Sequence, residues 1–122
     1  MTKKCESFEA KIFVGLRAGY TDKIHDLSEA EEICQKFVND VSLCVTVTPT
    51  TYIYKDGKEP GFIVGLINYP RFPDDIFHIK LLTLRLAKIL MTSLEQLRCT
   101  VYFPDMSILL ENKDLDSNIC YT

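Results

Sequence analysis

The feature that most constrains the fold is an uninterrupted apolar run, residues 61–67, that leads directly into a proline-rich loop. A strand without polar alternation is typical of the centre of a sheet. In the loop that follows, Pro70 and Pro73 fix φ at two positions in four residues, so neighbouring side chains are held with little backbone entropy left to lose. The run therefore predicts a central strand, and the loop predicts a binding surface.

Two helices and a first strand are predicted from periodicity. Residues 10–17 alternate apolar with other side chains, as a half-buried strand does, and residues 18–27 form a loop. Ser28 and Glu31 have capping-box spacing, which predicts a helix over residues 29–41. Pro73 followed by two aspartates predicts a second helix over residues 74–96.

The remaining segments are predicted to be strands. Residues 43–68 form a hairpin whose first strand starts at Leu43 and is interrupted by Pro49, with Asp56 and Gly57 at the turn. A fourth strand covers residues 98–103, and residues 107–110 would add a short C-terminal strand. The order predicts an α+β, ferredoxin-like split β-α-β-β-α-β sandwich, with one antiparallel sheet carrying two helices on one face. We expect one ligand-binding domain over residues 1–110 and a polar tail over residues 111–122.

The composition of the chain limits the cellular locations and the classes of partner that we expect. The chain has no 18-residue apolar run and no apolar segment behind its N-terminal lysines, which predicts no membrane span, no secretory signal and a cytoplasmic location. Its five scattered cysteines lack zinc-ligand spacing and suit a reduced compartment, so no metal is expected. A net charge of −3 disfavours a long nucleic acid as partner.

Catalytic constellations are scarce in the sequence. The two histidines, His25 and His78, lie in a polar loop and on the polar side of the second helix, and the aspartates are most simply loop and helix-start acids. We therefore predict no catalytic residues, no cofactor and a protein that is not an enzyme.

Loop cations beside aromatic residues predict a site for a small phosphorylated ligand. Both helix N-termini are crowded with acids, so phosphates would be held by arginine and lysine side chains in the loops after strands one and three, expected to lie at one sheet edge. Lys23 is a further loop cation there. The predicted ligand-binding residues are Arg17, Tyr20, Thr21, Thr48, Asn68, Tyr69, Arg71 and Phe72. The alternative is that these aromatic side chains cap the core and the arginines are solvated.

The second helix carries a spare apolar stripe, Phe77, Leu81 and Leu84, beside its main one. Exposed apolar patches usually mark contact surfaces. We therefore expect at least a homodimer, with a second chain closing the ligand cleft.

Five segments together resemble the phage-encoded Thoeris anti-defence protein 1 family over residues 11–104. They read KIFVGLRAGYTD (11–22), SEAEEICQKFV (28–38), LCVTVTPT (43–50), KDGKEPG (55–61) and IVGLINYPRFP (63–73). The resemblance implies a protein that sequesters glyco-cyclic ADP-ribose signals made by TIR-domain defence enzymes in the cytoplasm of an infected bacterium. It also implies dimers, in some relatives hexamers, and in some relatives uptake of cyclic oligonucleotides.

Two other functions stay open at this point. Residues 11–16 resemble the first strand of an RNA recognition motif, although strand three supplies only Phe62 for base stacking and the chain is acidic. A phosphodiesterase that cleaves a cyclic nucleotide is the other alternative.

Overall fold

The apolar run of residues 61–67 lies in the second-outermost strand of a five-stranded sheet, with a neighbour on each side. The computed structural model describes residues 1–113. Its elements are β1 (Glu9–Gly15), α1 (Leu27–Val41), β2 (Thr46–Tyr54), β3 (Gly57–Ile67), α2 (Ile76–Ser93), β4 (Arg98–Tyr102) and β5 (Ser107–Glu111). The strand order is β2-β3-β1-β4-β5, and every neighbouring pair is antiparallel. The predicted split β-α-β-β-α-β sandwich is confirmed, with the C-terminal strand added at the β4 edge.

The core forms between one face of the sheet and the two helices. Alternate residues of β1 and β3 face it, and α2 contributes its main apolar stripe. The side chains of Ile12, Val14, Phe62, Val64, Leu86 and Leu90 are fully buried there. Phe13 and Ile63, directly opposite each other in the register, point to the other face and are half-buried.

α1 ends at Val41 as predicted but starts earlier, and α2 differs from the prediction at both ends. α1 begins at Leu27 after Asp26, whose backbone N–H donates to the Glu29 carboxylate at 3.2 Å, so the expected box at Ser28 and Glu31 is wrong by two residues. α2 is shorter than predicted at both ends. It ends at Ser93, and two residues further on Glu95 has φ of 56°, so the chain has left the helical conformation there.

β2 tolerates a proline because it is an edge strand. Pro49 lies inside β2 opposite Phe62, and the expected interruption does not occur. An edge strand has one side without ladder bonds, where a missing N–H costs nothing. β2 begins at Thr46 instead of Leu43, and β3 begins at Gly57, directly after the turn.

The register of β1 with β3 separates the two loops that were expected to meet. Glu9 lies opposite Ile67 and Gly15 opposite Gly61. The loop after β1 and the loop after β3 therefore leave the sheet at opposite ends, roughly 20 Å apart for strands of this length. The expectation of a shared edge is wrong, because β1 and β3 are neighbours that run in opposite directions.

Among residues 1–113, no helix is long and apolar enough to cross a membrane. The four cysteines in this range are free thiols. Cys34 and Cys99 are buried, and burial raises the pKa of each thiol to about 11. The fifth, Cys120, and most of the predicted polar tail lie outside the described residues.

Candidate functional site

Four strand ends surround a cavity of about 470 Å³ at one end of the sheet. Its walls come from the loop after β1, the end of β2, the start of β3 and the segment that joins α2 to β4. We call it the strand-end cavity. It is lined by Arg17, Gly19, Tyr20, Thr21, Asp22, Tyr54, Glu59, Gln96, Leu97 and Arg98.

The loop after β1 contains a tight turn that is closed by hydrogen bonds. The Thr21 N–H donates to the Ala18 carbonyl at 3.0 Å, and the Ala18 N–H donates to the Lys23 carbonyl at 2.9 Å. Gly19, inside this turn, has φ of 52°, a conformation that glycine adopts without steric cost. The Thr21 hydroxyl donates to Ala18 and accepts from the Lys23 N–H, so it holds the turn itself.

Arg17 lines the cavity and contacts two of its walls. Its Nη1 donates to the Thr21 carbonyl at 3.3 Å, and its Nε is 3.8 Å from the Glu59 carboxylate. The arginine therefore connects the loop after β1 with the start of β3. About a third of each side chain of this ion pair is exposed, so both charged groups can be reached by a ligand.

A buried glutamine closes the inner wall. The Gln96 Nε2 donates to the carbonyls of Arg17 (2.8 Å) and Leu94 (2.9 Å), and the side chain is only 6% exposed. Its Oε1 lies over Gly15, where a Cβ would come within 2.6 Å of it. Gly57 and Gly61 are covered in the same way by the rings of Tyr54 and Tyr52. Glycines at these positions therefore let side chains lie flat against the strands.

The cavity combines rings with charges of both signs. Tyr20 and Tyr54 are 71% and 54% exposed, so their rings are accessible. Asp22 and Glu59 provide carboxylates, and Arg17 and Arg98 provide guanidinium groups. The arrangement can stack a planar ring and bind a ligand that carries both a cation and an anion.

At the opposite end of the sheet, Asn68 is part of the structure's framework. Its Nδ2 donates to the Glu6 carbonyl at 2.8 Å and its Oδ1 accepts from the Asp74 N–H at 3.0 Å, while its own N–H donates to Phe8. The side chain is 7% exposed. Asn68 therefore joins the N-terminal segment, β3 and the start of α2.

The other predicted residues of the second loop lie around Tyr69. Its ring stacks on Phe72 with centroids 5.2 Å apart, and its hydroxyl accepts from the Cys44 thiol at 3.6 Å. This thiol contact and partial burial raise the pKa of Tyr69. Arg71 is exposed.

Tyr69 and Thr48 share a groove of about 370 Å³ on the sheet face away from the helices. The structure thus brings Arg17, Tyr20 and Thr21 together, and separately Thr48 and Tyr69, but does not join the two groups. Whether these residues contact a ligand stays a prediction.

Sequence reasoning missed the five cavity residues outside the loop after β1: Tyr54, Glu59, Gln96, Leu97 and Arg98. Tyr54 and Glu59 flank the Asp56–Gly57 turn, and Arg98 begins β4. Once the split β-α-β-β-α-β order is drawn, the ends of β1 and β2 meet the starts of β3 and β4. The topology predicted from the sequence could therefore have identified these residues as neighbours of the loop after β1.

No protein-family model matches the chain, and no curated protein matches its sequence. Two solved structures share its fold: a phage SAM lyase in complex with S-methyl-5'-thioadenosine (TM-score 0.73, 13% identity, 93% of this chain and 95% of that one) and a phage SAM lyase in the apo state (TM-score 0.63, 13% identity, 87% and 90%).

The fold is that of a phage SAM lyase. The comparison agrees with the broad part of the family resemblance, a likeness to phage proteins, and gives no support to the Thoeris anti-defence family or to glyco-cyclic ADP-ribose in particular. The prediction that the chain is not an enzyme is contradicted, because the two similar structures named above are of an enzyme.

Proposed function

We propose that this protein is an enzyme that binds S-adenosylmethionine (SAM), or a close adenosine-containing sulfonium, in the strand-end cavity and cleaves it as a lyase. One observation carries the proposal. On a fold shared with a phage SAM lyase over more than nine-tenths of both chains, the four strand ends gather two accessible rings, two carboxylates and two arginines around one cavity.

The chemistry of SAM matches this set of groups. SAM joins an adenine ring and a ribose to a sulfonium cation and an amino-acid end. Tyrosine rings stack bases for about 1–3 kcal/mol each. Carboxylates and ring faces attract a sulfonium, and an arginine fork binds a carboxylate. A volume of about 470 Å³ lies within the range of small-molecule sites.

The lyase step breaks the bond between the sulfonium sulfur and Cγ of the aminobutyryl group. The bonding electron pair stays on sulfur, which becomes the neutral thioether of S-methyl-5'-thioadenosine. The aminobutyryl fragment, which has lost the bonding electron pair at Cγ, forms a stable product in one of two ways. Its own carboxylate attacks Cγ and closes a lactone, or a base removes a Cβ proton and leaves an alkene. Asp22 and Glu59 are the carboxylates at hand for the second route.

Product analysis tests the proposal. Incubation with SAM should yield S-methyl-5'-thioadenosine, measured by chromatography with mass spectrometry, and proton NMR of the second product separates lactone from alkene. Glu59→Gln and Arg17→Ala should each lower kcat/KM by at least about tenfold, the equivalent of one charge-assisted hydrogen bond. Arg71→Ala, at the opposite end of the sheet, is the matched control. If SAM is neither bound nor cleaved, the proposal is wrong.

A second candidate uses the same cavity. Arg17, Tyr20 and Thr21, the predicted residues that do come together, offer a guanidinium and a ring to a cyclic ADP-ribose-type signal, which would give the protein a role in phage immune evasion in the host cytoplasm. Calorimetry with cyclic ADP-ribose isomers, beside SAM, tests it. A heat of binding that saturates with an isomer and not with SAM would favour this candidate. Saturation with SAM alone would exclude it.

The partner predictions stand as proposals. We infer that the protein forms at least a homodimer, because Phe77 and Leu81 on α2 are 68% and 51% exposed and present apolar surface to solvent. Assembly into hexamers and uptake of cyclic oligonucleotides rest on the family resemblance. Light scattering measures the number of chains in the assembly, and a mass equal to one chain would exclude the dimer and the hexamer.

A further inference from the structure

A buried histidine contacts Glu95, the residue before Gln96 of the strand-end cavity. His25 is 6% exposed, and both of its ring nitrogens contact carboxylates. Nδ1 is 2.8 Å from Glu29 Oε2, and Nε2 is 3.0 Å from Glu95 Oε1. An ionised carboxylate can only accept hydrogen bonds, so both contacts are hydrogen bonds only when the imidazole carries two protons.

The charged groups around His25 come from three elements. Glu29 lies in the first turn of α1, Glu95 follows α2, and Lys23 in the loop before α1 donates to the same Glu95 oxygen at 2.9 Å. The contact with His25 is the main cause that lowers the pKa of Glu29. For Glu95, Lys23 is the larger cause of the lowered pKa and His25 a smaller one. Two carboxylates, one lysine and the imidazole therefore meet here.

Glu95 connects this cluster to the cavity wall. Its carbonyl accepts from the Gly19 N–H at 2.9 Å, in the turn that carries Tyr20 and Thr21. Gln96, the next residue, forms the inner wall. His25 itself donates its backbone N–H to Leu16 at 2.8 Å, at the base of the same loop. The loop and the inner wall are thus both tied to residue 95.

We propose that His25 is a positioning residue: its imidazole holds Glu95, and through Glu95 the wall of the strand-end cavity. The inference rests on the proposed function of that cavity. Removal of the imidazole takes away the contact that joins Glu29 of α1 to Glu95, so the loop and the cavity wall are held less closely. Ligand affinity in the cavity then falls, while the chemistry at the sulfonium is untouched.

A fluorescence experiment tests the positioning role without any ligand. The chain contains no tryptophan, so Tyr20→Trp places one reporter on the loop. Its emission should shift when His25→Gln is added. His78→Gln is the matched control, because His78 also pairs with a carboxylate, Asp74 at 2.7 Å, but lies at the other end of the sheet. Tyr54→Trp reports from the opposite wall and should stay constant.

Kinetics with SAM provide the second measurement. His25→Gln should raise KM about tenfold, as loss of one charge-assisted hydrogen bond predicts, and leave kcat within twofold. If His25→Gln does not fold, Glu95→Gln takes its place. Emission of Tyr20→Trp that is the same with and without His25→Gln, or a KM that His25→Gln leaves unchanged, overturns the proposal. A parent inactive on SAM refutes the proposed function instead, since the fluorescence decides His25 by itself.

Discussion

At the scale of single residues, Asn68 shows why a side chain predicted to bind a ligand can belong to the framework. It stands in a proline-rich loop between an apolar strand and an aromatic residue, where polar side chains usually point outward. In the fold its amide satisfies backbone groups of Glu6 and Asp74, two segments distant in the sequence from each other. Those partners depend on where the N-terminal segment runs, which no local pattern indicates.

We therefore expect Asn68→Ala to affect stability. The change leaves a backbone carbonyl and a backbone N–H without partners beside a buried site, and each such loss costs about 1–3 kcal/mol. The free energy of unfolding should fall by at least about 2 kcal/mol in urea titrations. Arg71→Ala, three residues away and exposed, should change it by less than about 0.5 kcal/mol. Equal values for the two variants would show that the amide contacts carry little free energy.

At the scale of elements, the sequence predicts the positions of the helices better than their first residues. Apolar steps of three and four placed α1 and α2 correctly, since burying one face on the sheet decides helix existence. The start of α1 was misplaced because Asp26 with Glu29 and Ser28 with Glu31 have the same spacing. The actual start follows from tertiary contacts: Leu27 packs against the core, and Glu29 pairs with His25.

The glycines of β3 give a prediction about the strand. A Cβ at Gly61 would approach the Tyr52 ring to 2.2 Å and the Val14 carbonyl oxygen to 2.6 Å, and the backbone oxygen cannot move aside. At Gly65 the only close atom is the Thr46 hydroxyl, which can rotate. We expect Gly61→Ala to lower the free energy of unfolding by about 1–3 kcal/mol and Gly65→Ala by clearly less, measured in urea. A larger loss at Gly65 would contradict this ranking.

The cluster that ties α1 to the end of α2 predicts acid sensitivity. The pKa values of Glu29 and Glu95 are lowered from an ordinary 4.5, so their stabilising contacts are complete above that pH and are lost as pH falls through the lowered values. Urea titrations at pH 6.5, 4.5 and 3 should show the parent losing stability faster than a Glu29→Gln, Glu95→Gln double variant. Glu32→Gln, an exposed control on α1, should follow the parent. Parallel curves for parent and double variant would rule out the linkage.

At the scale of the whole molecule, the fold was predictable and the site only in part. The order of strands and helices fixes the split β-α-β-β-α-β topology, and the loop after β1 was found from its cations and rings. Pairing it with the loop after β3 failed because neighbouring β1 and β3 run in opposite directions. The true partners of Arg17, such as Glu59 and Gln96, come from residues distant in the sequence, and only the antiparallel register brings them together.

Assembly is the remaining property of the whole molecule. Of the stripe predicted on α2, Leu84 packs against the core, while Phe77 and Leu81 stay exposed on one side of the helix. If a second chain covers them, a Phe77→Ser, Leu81→Ser double variant should shift the mass in light scattering from the oligomer to a single chain and keep the parent's circular dichroism. Ile53→Ser, 80% exposed on the edge strand β2, is the control and should keep the oligomer. An unchanged mass in the double variant would move the interface elsewhere, for example to the sheet face that carries the half-buried side chains of Phe13 and Ile63.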